Sequence, residues 1–270
     1  MAERIRSETG APESSPSACR TGQRILNIAG YRFVALGELV VLRDRLLETC
    51  RSQSLRGTIL LAPEGINLFL AGDDESIETF LDALDADPRL SGIDLKKSRS
   101  REIPFQRLKV RIRREIITLG RDGIDPARDP APSLDPETLK SWLDDGREVL
   151  LLDTRNAVEV EDGTFIGAVH LGNGSFRSFA GAAARLRPPA PGVPIVTFCT
   201  GGIRCEKAAP LLRQLGHRNV FQLSGGILRY FERVGRAHYT GACFVFDERG
   251  TLDPDLREPG EREAQKTLQL

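Results

Sequence analysis

A chain of 270 residues is longer than one small module needs and predicts roughly two domains. An apolar fraction of 40% and a charged fraction of 28% are globular values, which excludes a wholly disordered chain. The 38 basic and 38 acidic side chains cancel, and no run approaches the roughly 18 consecutive apolar residues of a membrane span, so no membrane partner is expected.

Residues 1–23 mix arginine and glutamate with a Ser/Pro run and hold no apolar core of the secretory type, so they read as a disordered tail. From residue 24 to 36 the chain reads as a strand. Residues 38–53 place Leu39, Leu42, Leu46 and Leu47 at helical spacing. Two apolar runs, 57–62 and 67–71, flank Pro63-Glu64-Gly65 and read as a hairpin. A second helix is expected over 73–86, with Ile77, Phe80, Leu81 and Leu84 on one face, and an alternating strand over 108–112. Strand, helix, two strands, helix, strand is the ferredoxin-like plan, an α+β sandwich over 24–120 with one sheet face open to a partner.

The segment 96–121 carries ten basic and two acidic residues, a local charge of +8 inside a neutral protein. Alternation along the strand sends Lys109, Arg111 and Arg113 to one side and Leu108, Val110 and Ile112 to the core. A solvated strand face explains such a row, but the charge density favours a polyanion.

Gly123, Pro126, Pro130 and Pro132 make 121–133 a linker. Beyond it, Asp135 or Ser133 is placed to cap a helix running to Leu143, with Pro136 at its start. Strands over 148–153, 194–198 and 219–223 alternate with a helix over 207–215, which predicts parallel βα units in an α/β domain over 134–236. The remainder, 237–270, reads as an extension, acidic and mobile after 249. Five cysteines are an odd number without the density of a disulfide scaffold, so a reducing compartment, the cytoplasm, is expected. There is no Cys-x2-Cys pair, and His170, His217 and His238 stand apart, so no metal site is expected.

Chemistry concentrates at Cys199-Thr200-Gly201-Gly202-Ile203-Arg204. An apolar strand delivers the cysteine, two glycines let backbone amides turn toward its sulfur, and a helix start adds partial positive charge. The amides and the helix start both favour thiolate over thiol, so Cys199 reads as a nucleophile and Arg204 as its charge partner. Cys205, in the first turn of that helix, is a candidate resolving thiol, or a small helix residue packed away from the loop.

This loop resembles the active-site loop of the rhodanese family, supported by Leu152-Asp153-Thr154-Arg155 with Glu159 and by Leu223-Ser-Gly225-Gly226-Ile227. The resemblance implies a rhodanese-like domain with a parallel sheet. A loop of six residues, rather than the seven of related phosphatases, implies a persulfide on Cys199. A wider set of motifs resembles the tRNA uridine-34 hydroxylase family: Gly57 through Asn67, Pro104-Phe105-Gln-Arg107-Leu-Lys109, Glu115 through Gly120, Phe198 through Lys207, and Cys243-Phe-Val-Phe-Asp247. That resemblance implies tRNA as partner, DNA being unexpected, and hydroxylation of the wobble uridine to 5-hydroxyuridine. It implies molecular oxygen as cosubstrate, with no other cofactor identifiable. The chain departs from the family at Leu68-Phe69, where Gly-Thr is usual, at 168–173, where Asn-Pro is usual, and in having no cysteine after Cys243. Two other readings stand beside it: a thiosulfate-type sulfurtransferase using the same cysteine, and a binding module with an inert loop.

Overall fold

The structure, a computed structural model, describes residues 25–258. The expected N-terminal tail and residues 259–270 lie outside the described residues. No helix among those described is long and apolar enough to cross a membrane.

The first domain runs β1 (Ile25–Phe33), α1 (Leu39–Ser52), β2 (Arg56–Ala62), β3 (Gly65–Gly72), α2 (Asp74–Asp85), β4 (Leu95–Ser100) and β5 (Leu108–Ile112). Its sheet has the order β4-β1-β3-β2-β5. The first four of these are antiparallel and make the ferredoxin-like sheet, while β5 is an added edge strand, parallel to β2. The closing strand of the ferredoxin-like unit is therefore β4, not the 108–112 strand that the sequence pattern marks. Leu95-Lys-Lys-Ser-Arg-Ser100 escapes a pattern reading because its two buried positions are Lys96 and Ser100, and no apolar alternation announces it.

One sheet face is apolar and carries both helices. Ile28, Ile59, Leu61, Ile66, Leu68 and Leu70 pack there on Leu42 and Leu46 of α1 and on Ile77, Phe80 and Leu84 of α2. Leu108, Val110 and Ile112 extend this layer, and Lys109, Arg111 and Arg113 are exposed on the other side, the alternation expected. The +8 segment is nevertheless not one stripe. Its β4 and β5 portions lie on opposite edges of the sheet.

The second domain runs β6 (Ser133–Leu134), α3 (Pro136–Asp144), β7 (Leu150–Asp153), α4 (Ala157–Glu161), β8 (Gly163–Phe165), β9 (Val169–His170), α5 (Phe176–Ala183), β10 (Ile195–Phe198), α6 (Ile203–Gln214), β11 (Val220–Leu223) and α7 (Gly226–Val234). Its sheet, β6-β11-β10-β7-β9, is parallel throughout. α5 and α6 cover one face and α3 and α7 the other, the doubly covered layering that buries every residue of β10. Asp135 caps α3 by accepting from the Thr138 amide at 2.7 Å, with Pro136 in the first turn. Pro210 sits inside α6, which continues past it to Gln214.

After β12 (Tyr239–Gly241), β13 (Cys243–Phe244) pairs with β14 (Thr251–Leu252). The extension therefore stays structured beyond 249, where its charge suggests mobility, because this hairpin crosses back to the first domain. The Glu248 amide donates to the Pro104 carbonyl at 3.1 Å, and Arg249 donates to Ser98 Oγ at 2.8 Å.

Candidate active site

The open face of the ferredoxin-like sheet roofs the Cys199 loop of the second domain. Strand register lays out a row across all five strands of that face: Lys96 on β4, Ala29 on β1, Phe69 on β3, Thr58 on β2 and Lys109 on β5. A second row runs Tyr31, Asn67, Leu60 and Arg111. Between these rows and the Cys199 loop lies a cavity of about 610 Å³. Phe69, Asn67, Ile116, Phe176 and Phe246 line it together with Cys199, Thr200, Gly201, Ile203 and Arg204. The mixture of apolar walls with a few polar groups is that of a small-molecule or nucleotide pocket, and the volume lies in the usual range.

Cys199 leaves the carboxyl end of β10, where open parallel sheets place their sites. The loop turns at Gly202, whose φ of 98° only glycine adopts without strain. A Cβ there would also lie 2.9 Å from the Tyr31 hydroxyl. This turn aims the Gly202 amide at the Cys199 sulfur, 3.1 Å away. From below, the first turn of α7 grips the loop: the Ile227 amide donates to the Cys199 carbonyl at 2.9 Å and the Leu228 amide to that of Thr200 at 3.0 Å. Gly226 makes this approach feasible, since a Cβ at 226 would sit 2.4 Å from the Cys199 carbonyl oxygen. Thr200 Oγ1 donates to the Phe244 carbonyl at 3.2 Å and ties the loop to the C-terminal hairpin.

Arg204 is nearly buried and held by a fork of two hydrogen bonds, Nη1 to Glu159 Oε1 at 2.6 Å and Nη2 to Glu159 Oε2 at 2.7 Å. Glu159 is fixed in turn because its Oε1 accepts from the Asn156 amide at 3.0 Å. Glu159 belongs to a sequence motif of the domain, but its role as the anchor of Arg204 is visible only in three dimensions. Burial pushes the Cys199 thiol up, yet the Cys205 thiol, the Arg204 charge and the amides of Arg204 and Gly202 outweigh it and hold it at about 6. This environment favours the thiolate, shielded from bulk water at the floor of the cavity.

Cys205 is buried beside it, with its amide donating to the Gly202 carbonyl at 2.9 Å and Thr154 Oγ1 at 3.7 Å from its sulfur. Burial, and then the neighbouring Cys199, push this thiol well above its ordinary value. The contact between the two sulfurs that favours the anion on Cys199 disfavours it on Cys205. The fold does not bring Lys109, Arg111 and Arg113 into contact with the sulfur. They stand at the β5 edge of the roofing sheet, and none pairs with a carboxylate among the described residues.

Sequence reasoning missed what joins the domains. Lys207, 2% exposed, reaches from α6 to Glu64 at 2.8 Å, Glu115 at 2.7 Å and the Ile117 carbonyl at 3.0 Å. Glu64 also accepts from the Ile116 amide at 2.7 Å, and Asn67 donates to the Ile116 carbonyl at 3.3 Å. Glu64 and Asn67 are therefore fasteners of the 115–119 segment, whose Ile116, Ile117 and Thr118 line the cavity. Tyr31 adds a further link by donating to Glu206 Oε1 at 3.1 Å, and Gln222 donates to the other oxygen at 2.9 Å. Tyr31 and Phe69 carry no local signal that a motif reading detects, and Lys207 and Phe246 lie within resemblance motifs whose spacing does not reveal their contacts.

Fold and site together define a rhodanese-type cysteine centre closed over by a ferredoxin-like domain. Family models agree domain by domain: residues 25–116 match a UPF0176 acylphosphatase like domain and residues 135–233 a Rhodanese-like domain. The tRNA uridine(34) hydroxylase of Bordetella avium (strain 197N) is 51% identical over 238 residues, covering 86% of this chain and 98% of that protein. That of Variovorax paradoxus (strain S110) is 52% identical, covering 87% and 91%. Among solved structures, a human single-domain sulfurtransferase overlaps 38% of this chain and 97% of its own, at 25% identity and a TM-score of 0.33. The chain belongs to the tRNA uridine(34) hydroxylase family.

Proposed function

We propose that this protein hydroxylates C5 of the wobble uridine of tRNA, with molecular oxygen as cosubstrate and Cys199 as nucleophile, in the cytoplasm where tRNA is found. The observation that carries the reading is the placement of the Cys199 anion at the floor of a nucleotide-sized cavity whose roof ends in exposed basic residues. A base inside a folded RNA reaches such a sulfur only by leaving its stack, and single-stranded loops give up a base at least cost.

A thiolate adding to C6 of uracil breaks the 5,6 double bond and places electron density on C5, where the oxygen is to be attached. One atom of dioxygen then enters the C5–H bond and the other leaves as water, which takes two electrons and two protons. Cys199 leaves C6 as the 5,6 double bond re-forms, and the freed Cys199 anion then joins the Cys205 thiol as a disulfide, which gives up two electrons and one proton; solvent supplies the second proton, and an external dithiol resets the pair. Arg204 and the loop amides stabilise the sulfur anion at the start and end of this cycle.

The test is nucleoside mass analysis of tRNA from a strain lacking this gene and complemented with either the wild type or Cys199→Ser. The expected result is 5-hydroxyuridine restored by the first and absent with the second. Restoration by both would remove Cys199 from the chemistry. The six-residue loop favours one other reading, sulfane-sulfur transfer from a Cys199 persulfide, and a thiosulfate-to-cyanide assay exceeding the tRNA activity would establish it.

A further inference from the structure

The catalytic cavity does not end at its own mouth. It continues past Thr58, Phe69 and Phe246, which it shares with a neighbouring groove of about 460 Å³. Phe105, Arg107 and Lys109 line the far part of that groove. One wall belongs to the ferredoxin-like sheet, where Phe69, Thr58 and Lys109 are consecutive members of the cross-strand row. The other wall is the C-terminal hairpin, which holds out Phe246 with half its surface exposed. Phe244 packs edge-on against that ring at 5.1 Å, and the bond from the Glu248 amide to Pro104 closes the two walls on each other.

Arg204 lies over the Phe246 ring, 5.6 Å from its centroid, and half of the residue's surface remains open to the groove. Phe69 and Phe246 line both the cavity and the groove and Phe105 the groove, beside Arg107 and Lys109, neither of which pairs with a carboxylate among the described residues. Of the acids on the hairpin, Asp247 is neutralised by Arg249 at 2.6 Å, which leaves Glu248 as the exposed carboxylate at the rim. Aromatic faces alternating with a cationic edge are what a single strand of nucleic acid requires, because every base has a face to stack and every residue a phosphate to neutralise.

We propose that this groove is a second nucleotide subsite, which holds the base of the residue adjoining the target uridine against Phe69, Phe105 or Phe246 and its phosphate against Arg107 and Lys109. The proposal deepens the tRNA reading and rests on it. It gives the Cys243–Asp247 motif a task, to present Phe246, and it makes Phe69, one of the two residues at 68–69 that depart from the family pattern, part of the recognition surface.

The experiment uses the full chain and an anticodon stem-loop RNA with the fluorescent base 2-aminopurine placed on one side or the other of the target uridine. Binding is expected to quench one of the two neighbours as its base stacks. Phe105→Leu and Phe246→Leu, which keep apolar volume and so the fold, should relieve the quenching and weaken binding roughly tenfold. RNA that binds with both neighbours unquenched, or with quenching unchanged in both variants, would overturn the subsite and leave the hydroxylase reading intact. RNA that does not bind at all would overturn both.

Discussion

The Cys199 loop and the roof above it solve opposite problems. The loop is a local device: strand, glycine turn and helix start are contiguous in sequence, and the amide that reaches the sulfur comes from three residues away. The roof is assembled from five strands, a linker segment and a C-terminal hairpin, and its central fastener, Lys207, meets carboxylates 92 and 143 residues distant. Reactivity is thus encoded in a few neighbouring residues, while substrate choice depends on long-range packing. The same loop can therefore serve different chemistries under different roofs.

Disturbing the loop should produce the largest effect. Arg204→Lys cannot reproduce the two-bond fork to Glu159, so the cation that favours the Cys199 anion loses its position. Because the thiol sits at about 6, below the ordinary cysteine range, the wild-type rate should be full above that pH and fall as pH drops through it. The depressed value also contributes stability above the unfolded thiol's range, lost as pH falls through about 6. In the variant the rate should fall by about a hundredfold and its acid limb should move to higher pH. A pH–rate profile measures both, and an unmoved limb would show that the loop amides suffice.

Breaking the junction should come next. Lys207→Met leaves Glu64 and Glu115 facing each other without their shared cation. Burial pushes the Glu115 carboxyl up, but the Lys207 bond and the Leu119 and Gly120 amides now hold it below its ordinary range. Loss of a buried ion-pair partner costs roughly 3–5 kcal/mol, and the partial exposure of these carboxylates brings the expected cost nearer 2 kcal/mol. Denaturant unfolding monitors it, and a variant as stable as the wild type would show that the domains need no such fastener.

Legibility divides along the same line. The loop, Arg204 and the parallel domain were readable because glycines, an apolar strand and a helix start leave local signatures. The ferredoxin-like plan was readable too, but its fourth strand was not. β4 buries Lys96 and Ser100 under a neighbouring domain, so no apolar alternation marks it, and the apolar β5 takes its place in the sequence pattern. Glu159, Tyr31 and Phe246 were invisible as site residues because each acts only on a partner that the tertiary fold brings near.

The smallest effect concerns the β5 edge. Lys109, Arg111 and Arg113 changed together to glutamine should leave the Cys199 loop untouched, since they stand apart from it. If all three meet phosphates, the log–log salt slope of tRNA binding should flatten by about 2 on single-stranded contacts and somewhat more on duplex ones. An unchanged slope would place the RNA on another surface and return the row to a solvated strand face.

The central claim is that the roofed cysteine directs an oxygen atom from dioxygen onto a tRNA base. Its most direct test is to incubate the purified protein with unmodified tRNA, a dithiol and isotopically heavy oxygen gas, then to weigh the nucleosides. The account predicts the heavy isotope in 5-hydroxyuridine with the wild type and none with Cys199→Ser. Unlabelled hydroxyl oxygen, or label incorporated equally by the serine variant, would contradict it.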